Sequence, residues 1–204
     1  MEVLAFNTKW MIWNSMLAIL PVLFAYFILL ARSNMVKILL VIPWLVLFPN
    51  TIYIYTDLMH VIFQVPQTVW WAIPILVLQH ALLQLVGLVT FILGYRPFEV
   101  WVTSSRWRQR HQTMLLILFN LLVTFGVVMG RVERVNSWEL ISDPLNVVMS
   151  ILHVFSSFTS MGLFILLSVV TNCIYFLFRN PVQKVYKDIK VYLNKQSTHF
   201  WIDK

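Results

Sequence analysis

The chain reads as long apolar runs separated by short polar connections. Five runs stand out, roughly 10–31, 36–55, 69–94, 113–131 and 157–178. Each is close to or above the about 20 residues that a helix needs to cross a hydrocarbon core. A further apolar stretch, Leu145 to Ser157, follows Asp143-Pro144 and carries His153. It is too short to cross alone and reads as an interfacial or re-entrant helix leading into the fifth span, with a sixth span as the alternative. After Pro181, the residues Val182, Val185, Tyr186, Ile189 and Leu193 recur at helical spacing among lysines. That is the pattern of a basic amphipathic helix on the inner leaflet, or of one docked on a cytoplasmic partner. The prediction is an all-α polytopic bundle over 1–180, with five transmembrane helices and an interfacial helix. A basic amphipathic C-terminal helix follows over 181–204.

Composition agrees. Of 204 residues, 60% are hydrophobic and 11% charged, whereas a soluble domain is about half apolar and about a quarter charged. The formal charge of +7 is therefore read as a membrane signal, and nucleic acid is not an expected partner. Twelve of the fifteen Lys and Arg lie on alternate connections. They are Arg32 and Lys37, then Arg96, Arg106, Arg108 and Arg110, then Arg179, Lys184, Lys187, Lys190, Lys195 and Lys204. The other side holds Lys9, Arg131 and Arg134. Cationic loops stay in the cytoplasm, so the expected location is the plasma membrane, N-terminus outside and C-terminus inside. Five spans satisfy that orientation and six do not.

The first run is too long for a signal-peptide core and no small-x-small site follows it, so it reads as a retained span. Trp70, Trp71, Trp101, Trp107, Trp138 and Trp201 fall near predicted span ends, where amphipathic rings prefer headgroups. The single cysteine, Cys173, excludes an internal disulfide and a Cys-based zinc site.

Two polar motifs fall on the predicted outer face. In the first, Asn50, Tyr53, Asp57 and His60 are spaced 3, 4 and 3. They share one stripe if the second span stays helical past Pro49. In the second, Arg131, Arg134 and Trp138 are spaced 3 and 4, flanked by Glu133 and Asn136. Spans two and four end on the same side, so the motifs can meet, and Asp57 with Arg131 is the expected ion pair. A lone Arg or Asp costs about 2.5–3.5 kcal/mol at mid-span, and a bidentate pair offsets much of that.

Several chemistries fit these residues. Asp57 and His60, one turn apart, are candidate metal ligands or acid–base groups, and Glu133 is a third candidate. Asn50, Tyr53, Arg131, Arg134, Asn136 and Trp138 are candidate binding residues for an anion. A capping and hydrogen-bonding cluster that ends the spans is the structural alternative. His80, with Gln84 and Gly87 on one face of the third span, is either a satisfied buried imidazole or part of a proton or substrate path. Asn14, Asn120 and Asn172 read as hydrogen-bond glue between helices, and His153 could reach the outer site. No phosphate loop, H-E-x-x-H or G-x-S-x-G is present.

The motif pair resembles the bacterial multi-pass membrane family known as domain of unknown function 1361. One span of that family ends close to F-L-P-N-A-P-Y-I-x-T-D-L-x-H, and a later segment runs close to G-x-x-L-G-R-x-x-R-x-N-S-W-D. Here these stand as Leu47 to His60 and Gly126 to Glu139. Thr51-Ile52 replaces the usual Ala-Pro, which favours a continuous helix through the first motif, and Glu139 replaces the Asp. The resemblance implies a multi-span fold and a signature set at the motif positions, and it carries no activity.

The functional expectation is a binding protein. Its outer polar pocket would hold an anionic lipid or envelope polymer, or brace a partner membrane protein. An outer-leaflet transferase or hydrolase using Asp57 and His60, and a small transporter with His80 in its path, are the alternatives. The residues leave cofactor and oligomeric state open.

Overall fold

The computed structural model describes residues 2–135 and 139–202, and these are helices joined by short turns, with no strand. The helices are α1 (Glu2–Leu30), α2 (Asn34–Leu47), α3 (Pro49–Thr56), α4 (Leu58–Gln64), α5 (Ile73–Gly94), α6 (Arg96–Thr103) and α7 (Arg106–Arg110). They continue as α8 (Gln112–Arg131), α9 (Glu139–Ser142), α10 (Pro144–Ser156) and α11 (Phe158–Ile202). Five helical stretches are long and apolar enough to cross a membrane: Val3–Leu30, Asn34–Gln67, Trp70–Thr103, Gln112–Arg131 and Phe158–Tyr186. The all-α, five-span prediction holds. At 13 residues, α10 rises only about 20 Å, short of a hydrocarbon core of about 30 Å, so it does not form a sixth span.

Two expectations are modified. The second span does not run unbroken through the first motif. Asp57 sits in a turn between α3 and α4, where its N–H bonds back to Ile54 at 3.1 Å and its C=O accepts from His60 at 3.0 Å. These three-residue closures tighten the chain locally. The basic segment after Pro181 is helical, but it continues α11 without a break.

Lipid offers helices no hydrophobic reason to associate, so close packing and hydrogen bonds must hold them. The bundle supplies both. Trp44, Phe48, Phe91, Tyr95, Phe119 and Tyr175 form a buried aromatic centre, with Phe48 stacked on Trp44, Phe91 and Phe119 at 5.4–5.7 Å. Trp44 donates to the Gly94 carbonyl at 2.9 Å. Two glycines let α3 approach its neighbours. A Cβ on Gly87 of α5 would lie 3.1 Å from the Thr51 carbonyl, and one on Gly126 of α8 would lie 2.5 Å from the Pro49 ring. The polar glue lies where expected: Asn120 of α8 donates to Asn172 of α11 at 3.0 Å and accepts from Tyr95 at 3.0 Å. The outer surface is apolar, with residues such as Phe27, Ile38, Leu78, Leu118 and Leu166 exposed, as a lipid-facing wall requires. Trp70, Trp71, Trp101 and Trp107 are exposed at helix ends.

Candidate functional site

One end of the bundle gathers the first motif and the C-terminal turn of α8. Asp57 is its centre, 2% exposed. A buried carboxylate needs partners on both oxygens, and it has them. Asn14 of α1 donates to Oδ2 at 2.9 Å, and the Arg131 guanidinium lies 3.3 Å from Oδ1. Arg131 also donates to the Tyr53 hydroxyl at 3.1 Å and lies 5.1 Å from that ring's centre. One cation thus joins α8 to both α3 and the turn after it. Asn14 belongs to this cluster although spacing along the chain gave no hint of it.

His60 stands beside the cluster rather than in it. Its Nδ1 is 3.9 Å from Asp57 Oδ1 and 3.2 Å from the Asp57 carbonyl, while its ring packs on Trp10 at 5.4 Å. Asn50 is turned to its own chain, donating to the Leu47 carbonyl at 3.0 Å. Glu133 does not join Asp57 and His60. It meets His153 of α10 at 2.9 Å and accepts from Ser160 of α11 at 3.3 Å, tying the chain after α8 to α10 and α11. Among the described residues no three His, Cys, Asp or Glu come together as a metal-binding group. Asn136 and Trp138 lie outside the described residues.

Arg134 is the unusual member. Its φ is 56°, and it is the one non-glycine residue in the left-handed region among those described. The chain leaves α8 here: the Glu133 N–H reaches back to Val128 at 3.4 Å and the Val135 N–H to Met129 at 3.0 Å. Glycine usually takes such a helix-ending position. Arg134 is exposed and has no ion pair or hydrogen bond to the described residues.

Beside this cluster lies an open groove of about 640 Å³ between α1, α2, α3, α8 and α10. Its walls are mostly apolar, from Leu122 and Phe125 to Ile151, and Asn14, Asn50 and Tyr53 are its polar members. His80 is elsewhere. It is buried in α5, bonds the Leu76 carbonyl through Nδ1 at 2.9 Å, and leaves Nε2 without a partner among the described residues.

At the opposite end a second buried acid escaped the reading of the sequence. Glu99 of α6 is 3% exposed. It lies 2.7 Å from Arg179 Nε and 3.1 Å from Arg96. It also accepts from Tyr175 at 2.7 Å and from Gln183 at 2.8 Å. Only the Arg96–Glu99 spacing was visible in sequence; the other partners lie on α11.

This is a five-span helical membrane protein with a buried acid–arginine cluster at one end. The chain belongs to the family described as "Protein of unknown function (DUF1361)", whose model matches residues 13–175 and so includes both motifs. Neither the curated proteins nor the solved structures contain a match.

Proposed function

We propose that the protein is a binding protein of the plasma membrane, and that its motif end, facing outward, recognises an anionic envelope component. The observation that carries this is the sorting of charge by depth. The two acids at this end are engaged by protein groups, Asp57 by Asn14 and Arg131, and Glu133, apart from that cluster, by His153 and Ser160. The cations remain accessible, Arg134 exposed and Arg131, though bonded to Asp57, with 32% of its side chain exposed. A ligand approaching this end meets guanidinium groups, which suit phosphate and carboxylate. The enzyme reading through Asp57 and His60 has less support, because both Asp57 oxygens already have partners.

The test is extraction of wild type and Arg134→Ala from membranes in native-lipid particles, with mass spectrometry of what each retains. The expected result is an anionic component enriched over the bulk membrane in wild type and reduced to the bulk level in Arg134→Ala. Bulk composition in both would refute the reading. A reporter fused after Lys204 checks the orientation: activity only in the cytoplasm supports it, and activity outside overturns it.

A further inference from the structure

The groove says what kind of anionic component fits, an inference that rests on the binding reading above. It follows α8 from Leu122 to Gly130, eight residues of rise or about 12 Å. Along that length its character changes. Leu122, Val123 and Leu45 line one part, while Asn50, Tyr53 and Gly130 line the part beside Arg131. An apolar trough with hydrogen-bonding groups at one end, where Tyr53 is bonded to Arg131, matches a molecule with a hydrocarbon chain and an anionic head.

Gly130 supports this independently. Gly126 is demanded by packing, since a side chain there would strike Pro49. Gly130 is not. Its φ is not positive, and a Cβ would meet nothing nearer than the Tyr53 ring at 3.9 Å. In a helix, alanine at such a position is ordinarily favoured. What the absent side chain leaves is room in the groove.

The groove is open and lies among the spans, whose outer wall is apolar, so the molecules that surround it are acyl chains. We infer that the groove holds a hydrocarbon chain of an anionic lipid, laid along α8 between Leu122 and Gly130, with its headgroup at Arg131 and Arg134.

Trp13 of α1 lines the groove and reports on it. The protein is placed in nanodiscs of zwitterionic lipid doped with chain-brominated lipid, either anionic or zwitterionic, at equal mole fraction. Bromine quenches indole at contact, and the Trp13 share is the difference between wild type and Trp13→Phe. The expected result is greater Trp13 quenching by the anionic lipid, unaffected by soluble glycerol phosphate. Gly130→Leu, which fills the groove, and Arg134→Ala each remove that excess while the thermal midpoint does not fall. If Gly130→Leu does not fold, Gly130→Ala, whose Cβ has space, replaces it and lowers the excess. Equal quenching by the two brominated lipids, with anionic lipid still retained in an Arg134-dependent way, overturns the groove inference and leaves the binding reading standing. Excess quenching that ignores Arg134 and Arg131 overturns the headgroup assignment. Neither excess nor retention sinks both.

Discussion

Replacing Arg134 with glycine separates what its backbone costs from what its side chain does. The left-handed conformation costs an L-residue about 1–2 kcal/mol, and at φ 56° Arg134 bears that cost. Glycine escapes it but brings a freer unfolded chain, which takes back about 0.4–1 kcal/mol. Arg134→Gly should therefore be more stable than Arg134→Ala, which keeps the strain, by about 0.5–1 kcal/mol. For a chain of this size that is a rise of about 1–4 °C in thermal midpoint. The assay is tryptophan-monitored thermal unfolding of wild type, Arg134→Gly and Arg134→Ala in one detergent, beside mass spectrometry of the lipid each retains. Both variants should lose the anionic lipid while only the glycine variant gains stability. If Arg134→Gly melts at or below Arg134→Ala, the left-handed turn is not a source of strain and the reasoning fails.

Gly126→Ala should cost about 1–3 kcal/mol by overpacking, because its Cβ would lie 2.5 Å from the Pro49 ring; Gly130→Ala, whose Cβ has space, should hold or raise the midpoint, and equal effects would deny the close α3–α8 approach. Asp57→Asn should lower membrane abundance by stranding Arg131, a loss of about 1–3 kcal/mol once partial exposure reduces the buried-pair figure. Adding Arg131→Gln to it should recover part of the loss, and no recovery on in-gel fluorescence would count against the pair. Glu99→Gln should lower the thermal midpoint by stranding Arg96 and Arg179, by about 1–3 kcal/mol; an unchanged midpoint would mean those cations find other partners.

The spans were legible because lipid demands long unbroken apolar runs, and nothing soluble imitates them. The Asp57–Arg131 contact was legible too, since two charges near one end of neighbouring spans have little choice but to meet. What could not be read depends on tertiary placement. Asn14 reaches Asp57 from 43 positions away, and Gln183 reaches Glu99 from 84; neither distance has a periodic signature. Glu133 was grouped with Asp57 and His60 by its place in the motif, but the turn at Arg134 hands it to His153 and Ser160. The continuous helix anticipated through His60 failed at Asp57, where the carboxylate is drawn in toward α1 and α8. The tail after Pro181 was read as a helix in its own right, and α11 carries into it without a break.

The Tyr95–Asn120–Asn172 chain bears on how the protein is made. A side-chain amide entering hydrocarbon alone is costly, and spans leave the ribosome in order. When the fourth span enters the bilayer, the fifth, with Asn172, is 52 positions behind, but Tyr95 is already in place and donates to Asn120 Oδ1. The third and fourth spans can therefore leave the translocon as a hairpin whose amide has one partner, its free N–H group waiting for the fifth. Asn120 is thus half satisfied within the hairpin and gains its second side-chain partner only when the last span docks.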